Sequence, residues 1–392
     1  MMFLLRHVVG KLVQIFKVEN HLAGLHHPIF CLKNAQIGVT PPGDVLPVAG
    51  KIVGRIIELY NTVLDMPKGD GSDPESGAMW DHITGRYFLD VHEALKARDV
   101  DAVARIMAEP DETDIFFGFD ILAKSYKDIL KGQRNQRSYA QKCFDDLIMF
   151  AQAIGAVEFF NPESPLLQYD PEEVFAAIET TLGVRIELPT PYPREYGLRI
   201  SRGVVSYRAV QAMFQAYRIH ELTKGVKNPS VVEIGAGLGR TAYYARTLFG
   251  IKDYRIVDIP STMISQAHFL ATCLGEDAVV LYGEDVDGKA AKDKVKILPP
   301  EAFLNEDGRY DLILNFDSMT EMDQGIAEAY WDKSFEVSPM LLSVNHERND
   351  FRVLDIIRGS NKVASFTRNP YWMRKGYVEE VIEFFDDQGE LK

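Results

Sequence analysis

Glycines and acidic residues next to one predicted strand are the residues of this chain best suited to hold a ligand. Residues 233–240 read Glu-Ile-Gly-Ala-Gly-Leu-Gly-Arg and follow a short run of β-branched residues. Gly235, Gly237 and Gly239 permit a tight turn, and a helix that begins directly after them offers free N–H groups to a ligand. Asp258 ends the next predicted strand, 19 residues after Gly239, where a carboxylate can bind a ribose diol. The spacing predicts a nucleotide-like ligand.

Two details of this loop bear on the identity of the nucleotide. In the dinucleotide fingerprint GxGxxG the third glycine lies one position after Gly239, and this chain has Arg240 there. Glu233 lies within the preceding strand, where an acid suits a cationic ligand better than a pyrophosphate. Both details count against a dinucleotide, so an NAD(P)-dependent oxidoreductase is kept only as the first alternative function. A non-catalytic binding module of the same fold is the second.

The loop sequence resembles a known family. Residues 231–245, VVEIGAGLGRTAYYA, resemble the first motif of class I S-adenosylmethionine-dependent methyltransferases, and Asp258 matches their acidic residue after strand two. The resemblance implies S-adenosylmethionine as cofactor, with Glu233 facing the methionine ammonium, usually through water, and Asp258 binding the ribose hydroxyls. Asp285, in YGED, falls where that family often contacts the adenine amine.

Longer segments resemble a bacterial sugar O-methyltransferase group within that family. They are residues 253–270, 310–322, LLSVNHE at 341–347 and, upstream, residues 197–222. The resemblance covers about residues 170–347 and implies a small-molecule or carbohydrate acceptor that is methylated on a hydroxyl.

Polar residues after the later predicted strands are candidates for catalysis. Transfer to a hydroxyl needs a base, and His346 is the histidine that follows a strand in the second half of the chain. Asp317 follows the preceding strand, where it could orient His346, act as the base itself, or hold a divalent cation together with Glu321. The structural alternatives are that His346 caps a loop and that Asp317 caps the next helix. Metal dependence stays open.

Arginines near residue 200 and, after the fourth predicted strand, Glu321 are candidates for substrate binding. Arg202 and Arg208 could bind an anionic sugar or a nucleotide diphosphate, because the guanidinium fork matches carboxylate and phosphate. In so acidic a chain the alternative is that they are solvated or salt-bridged.

The elements that position these residues divide the chain in two. The pattern is helical up to Gly225. It predicts a helix that begins after Asp170 and ends at Gly183 and another helix over 204–224, with an irregular proline-rich stretch at 186–199 between them.

After Gly225, five short β-branched runs alternate with helices, which predicts an α/β fold with a doubly wound, mostly parallel sheet. The tail at 377–385 is predicted as an added edge strand. The predicted divisions are an N-terminal segment at 1–66, a linker at 67–78, a mainly helical region at 79–225 and the α/β domain at 226–392.

Composition excludes several classes of partner. The chain has 392 residues, with 57 acidic against 43 basic, and the net charge of −14 disfavours nucleic-acid binding. No apolar run is long enough for a transmembrane segment, and residues 1–18 are better suited to an amphipathic helix than to a signal peptide. The three cysteines have no CxxC spacing, which indicates reduced thiols and a cytoplasmic location. Oligomeric state stays open, with a homo-oligomer among the alternatives.

Overall fold

The computed structural model describes residues 36–48, 50–66, 78–158, 169–284 and 293–385. Three sequence predictions therefore lie outside the described residues: the helix at 1–18, the linker apart from its last residue, and Asp285. No helix among the described residues is both long enough and apolar enough to span a membrane.

Within the described residues, the second half forms one eight-stranded sheet in the order β10-β11-β9-β8-β4-β5-β7-β6. Its strands are β4 (Ser230–Ile234), β5 (Asp253–Val257), β6 (Val279–Leu281), β7 (Val295–Leu298), β8 (Leu312–Phe316), β9 (Met340–His346), β10 (Val363–Pro370) and β11 (Tyr377–Phe384). The six strands from β9 to β6 pair in parallel, and the terminal β10-β11 hairpin pairs antiparallel to β9. The predicted fold class, a doubly wound and mostly parallel α/β sheet, is confirmed.

Helices cover both faces of this sheet. They are α9 (Arg240–Phe249), α10 (Pro260–Leu274), α11 (Pro300–Leu304), α12 (Gln324–Val337) and α13 (Val353–Gly359). On β4, Val231 packs into the core shared with α10, whereas Val232 and Ile234 pack into the core shared with α12. Burial on both faces explains why the central strands are continuous apolar runs.

The C-terminal hairpin differs from its prediction. The tail strand β11 was predicted to lie at the edge of the sheet, but it lies between β9 and β10. β10, with the sequence VASFTRNP, forms the edge, and most of its side chains are exposed or half-buried. Because neither face of β10 is buried, its residues show no hydrophobic period that could reveal a strand.

The first half is mainly helical. Its helices are α1 (Ile52–Leu64), α2 (Ala78–Tyr87), α3 (Leu89–Lys96), α4 (Val100–Ala108), α5 (Lys124–Leu130), α6 (Gln133–Ala153), α7 (Pro171–Leu182) and α8 (Tyr207–Leu222). The predicted ends of α7 are confirmed: the Asp170 side chain accepts from the Glu172 N–H, and Gly183 ends the helix at φ +66°.

A small antiparallel sheet corrects two other predictions. It contains β1 (Ile37–Val39), β2 (Tyr196–Ile200) and β3 (Gly203–Val205), in that order. β2 begins after the last proline of the segment predicted to be irregular, since the prolines restrict only the residues up to there. The helix predicted from residue 204 begins at Tyr207, because Ser206 accepts a hydrogen bond from the Ala209 N–H and so acts as its N-cap.

The two halves pack directly against each other. α1 contacts α10, and α8 contacts both α6 and α9. This packing places the segment around Phe119 above the carboxyl ends of the strands. The helical half therefore supplies part of the wall around any ligand bound there.

Candidate functional site

A cavity opens at the carboxyl ends of β4, β5 and β8, which is where doubly wound sheets bind ligands. One side is formed by the glycine loop and Asp258, and the opposite side by Asp317 and Glu321. The helical half adds Trp80, Phe119, Asp120 and Arg208. The C-terminal hairpin adds Tyr371 and Arg374 from the turn between its strands, and Tyr377 from the start of β11.

The glycine loop has the backbone shape that its sequence predicts. Gly235, Gly237 and Gly239 have φ of +73°, +56° and +85°, which L side chains rarely adopt. A Cβ on Gly235 would lie 2.0 Å from Ser318 Oγ, so no side chain fits there without rearrangement. α9 begins at Arg240, directly after the loop, so its unpaired N–H groups are available beside the cavity.

Glu233 is a buried acid in the cavity wall. Its carboxylate accepts a hydrogen bond from the Tyr254 hydroxyl at 2.8 Å, and its exposed fraction is 1%. Burial raises the pKa of Glu233 to about 8, because the anion is poorly solvated there. A cation bound next to Glu233 would offset this cost, so the site is suited to a cationic group.

Asp258 is held rigidly on the other side of the loop. It accepts hydrogen bonds from the Ile259 N–H at 2.9 Å, from Thr262 Oγ1 at 2.5 Å and from Gln266 Nε2 at 2.6 Å. The same Gln266 amide also donates to Gly237 O at 3.0 Å, which ties the carboxylate to the glycine loop. Burial raises the pKa of Asp258 to about 6. The arrangement presents an oriented acceptor to a ligand hydroxyl.

Three residues that were predicted to act together lie close to one another on the side of the cavity that Asp317 forms. Asp317, Glu321 and His346 each offer one ligand atom, and these atoms lie within 4.8 Å of one another. Burial and the charge of Asp317 raise the pKa of Glu321. Oxygen and imidazole ligands at this separation could hold a divalent cation.

Asp317 has one engaged and one free oxygen. Arg374 donates to Asp317 Oδ2, whereas Oδ1 is buried and has no hydrogen-bond partner. Asp317 does not cap a helix, since Ser318 is the N-cap of the following 3-10 turn at Met319–Glu321. The free oxygen belongs to a residue of the cavity wall and can accept a proton there.

His346 ends β9, as predicted, but the cavity wall contains Asp317 and Glu321 rather than the imidazole. Its Nδ1 accepts from the Arg348 N–H at 3.3 Å, and its ring packs edge-on against Tyr377, with centroids 5.4 Å apart. Burial lowers the pKa of His346, which favours the neutral ring.

The two predicted substrate arginines are in different places. Arg208 lies in the cavity wall. Arg202 does not: its Nη1 donates to both carboxylate oxygens of Glu179 at 2.7 and 2.8 Å, and the guanidinium packs over the Phe175 ring. The assignment of Arg202 is therefore corrected to a salt bridge between the β2–β3 turn and α7.

Some residues of the cavity wall could not be predicted from sequence patterns. Arg374, Trp80 and Phe119 lie in segments without a motif, and only the tertiary packing brings them to the cavity. Arg240 was noted for displacing a glycine, but its partners were not foreseen. It is buried and pairs with Asp120 at 3.0 Å and with Glu195 at 2.9 Å. It therefore joins the glycine loop to the helical half.

The chain matches no protein-family model and no curated protein. Among solved structures, it is similar to magnesium protoporphyrin IX methyltransferase from Synechocystis PCC 6803 with bound S-adenosylmethionine, at 11% identity and a TM-score of 0.29, over 45% of this chain and 83% of that one. It is also similar to a glycopeptide N-methyltransferase in complex with S-adenosylhomocysteine, at 12% identity and a TM-score of 0.32, over 43% of this chain and 88% of that one.

Proposed function

We propose that this protein is an S-adenosylmethionine-dependent methyltransferase that methylates a hydroxyl of a sugar or of a glycosylated intermediate. The observation that supports it most is the pair of buried acids in one cavity, Glu233 and Asp258, on either side of a loop whose three glycines all have positive φ. The sugar acceptor rests on the sequence resemblance of residues 170–347.

The residues present fit this cofactor. Glu233 pairs with the ammonium of the methionine part, which relieves the cost of its burial. Asp258 accepts hydrogen bonds from the ribose hydroxyls, and the N-terminus of α9 offers N–H donors to polar ligand atoms. The bound cofactor supplies an activated methyl group on a cationic sulfonium.

The chain's own residues then have two tasks. The cavity walls hold the acceptor oxygen in line with the methyl carbon and exclude water, which lowers the entropic cost of reaching the transition state. A base must also take the hydroxyl proton as the oxygen attacks. We assign this to Asp317, because it is a carboxylate of the cavity wall at the end of β8, with His346 as the neighbouring alternative. Arg374, which donates to Asp317 Oδ2, positions Asp317.

The experiment that tests the cofactor class is differential scanning fluorimetry with S-adenosylmethionine, S-adenosylhomocysteine, NAD and NADP. We expect the two sulfur compounds to raise the melting temperature by mass action and the nicotinamide cofactors to leave it unchanged. Stabilisation by the nicotinamide cofactors alone would make the protein an oxidoreductase and overturn the proposal.

A further inference from the structure

Arg208 is a charged group of the cavity wall that has no ionic partner among the described residues. Its Nε is buried and makes no hydrogen bond, and its guanidinium packs over the Tyr207 ring at 5.1 Å from the centroid. A buried cationic donor left unpaired is costly, so such a group indicates a missing ligand.

The acids that could neutralise Arg208 are engaged elsewhere. Asp317 is bound by Arg374, and Asp120 is bound by Arg240. Among the described residues, Arg208 therefore has no carboxylate of its own within salt-bridge distance.

The charge and shape of the Arg208 guanidinium indicate which kind of ligand it binds. Burial lowers the pKa of Arg208, but Tyr207, Asp317 and Asp120 raise it by more, so the guanidinium stays charged. It lies in the first turn of α8, whose positive dipole end adds to the field. A planar fork of N–H donors matches the two oxygens of a carboxylate or a phosphate.

We propose that Arg208 binds an oxyanion carried by the methyl acceptor, so that the substrate is an anionic saccharide, either a uronate or a sugar phosphate. This inference rests on the proposed function and names its substrate class. The anion at Arg208 would orient the saccharide toward Asp317 on the same cavity wall.

The test is calorimetric binding of matched saccharides to the full chain saturated with S-adenosylhomocysteine. The probes are glucuronate, galacturonate, glucose 1-phosphate and neutral glucose. We expect at least one anionic probe to bind about 10–100-fold more tightly than glucose, the size expected for a charge-assisted bidentate pair. A preference for the uronates identifies a carboxylate, and a preference for glucose 1-phosphate identifies a phosphate.

Two variants locate the effect. Arg208→Gln should abolish the preference for the anion, and Arg208→Lys, which keeps the charge but not the fork, should retain part of it. Arg202→Gln is the matched control, because that arginine lies outside the cavity, and it should keep the full preference.

The possible failures can be told apart. If S-adenosylhomocysteine binds but no anionic probe binds more tightly than glucose, or if Arg208→Gln keeps the preference, the inference is overturned and the methyltransferase assignment stands. If S-adenosylhomocysteine does not bind, the proposed function fails, and the same titrations without it still decide whether Arg208 binds an anion.

Discussion

Two buried carboxyl groups, Glu233 and Asp258, line one cavity, and burial raises the pKa of each. A stable core would not need either acid at these positions. Burial removes hydration from both carboxylates, and for Asp258 the three protein donors offset only part of that loss. The raised pKa values are therefore evidence for a binding site.

The first prediction concerns the stability of the ligand-free protein. The pKa of Glu233 is about 8 in the folded chain and near 4.5 when unfolded, so the folded state binds more protons between these values. The free energy of unfolding should therefore fall as pH rises from about 4.5 to 8. Glu233→Gln should remove this part of the slope. Urea unfolding at several pH values measures it, and an unchanged slope in the variant would contradict the assigned pKa.

The second prediction separates the candidate bases. Asp317→Asn should lower turnover by roughly 10²–10⁴ and leave the affinity for S-adenosylhomocysteine nearly unchanged, because proton removal contributes only in the transition state. His346→Ala should cost less than about tenfold, since the imidazole is not part of the cavity wall.

Single-turnover kinetics with labelled S-adenosylmethionine measures both variants. A larger loss of turnover in His346→Ala than in Asp317→Asn would make His346 the base, as first predicted from the sequence. Loss of wild-type activity with EDTA would show instead that Asp317, Glu321 and His346 hold a divalent cation that acidifies the acceptor hydroxyl.

At the scale of elements, the glycine loop and the strand ends that flank it could be predicted from the sequence. Tight turns require glycine, and buried parallel strands require continuous apolar runs, so both leave local signals. β10 has no such local sequence signal, because its side chains are mostly exposed. The position of β11 inside the sheet depends on pairing with distant residues. Local sequence patterns predict which elements form better than they predict which elements lie next to each other.

The third prediction concerns Gly235 in this loop. Gly235→Ala should weaken S-adenosylhomocysteine binding by more than tenfold, because the new Cβ would lie 2.0 Å from Ser318 Oγ and force the loop to move. Gly250→Ala is the matched control, since Gly250 has a similar φ of +67° and no atom within 4 Å of its added Cβ. Both variants should lose about 1–3 kcal/mol of stability from the unfavourable φ. Calorimetry should find weaker binding only in the first, and equal affinities would mean that the loop does not contact the ligand.

At the scale of the whole molecule, the cavity is completed by contacts between the two halves. Arg240 follows the glycine loop and reaches Asp120 and Glu195 in the helical half. Sequence reasoning could identify the glycine loop, but it could not pair Arg240 with Asp120, which lies 120 positions away, or with Glu195, which lies 45 positions away. For the same reason it could not separate Arg208, which faces the cavity, from Arg202, which does not.

The fourth prediction concerns this buried ion cluster. Arg240→Gln leaves two carboxylates buried without their cation, so the free energy of unfolding should fall by about 3–5 kcal/mol. Arg246→Gln is the control on the same helix, because Arg246 donates only to the backbone carbonyls of Lys252 and Asp293. It should change stability by less than about 1 kcal/mol. Urea denaturation compares them, and equal losses would show that the cluster does not hold the two halves together.

The most direct test of the proposed function is a calorimetric titration of the wild-type protein and of Asp258→Ala with S-adenosylhomocysteine. We predict that the wild type binds it, and that the variant stays folded and loses roughly 1–3 kcal/mol of binding free energy, the contribution of a charge-assisted hydrogen-bond pair. A folded variant with unchanged affinity would contradict the ribose assignment. A wild-type protein that binds NAD or NADP but not S-adenosylhomocysteine would contradict the proposed function as a whole.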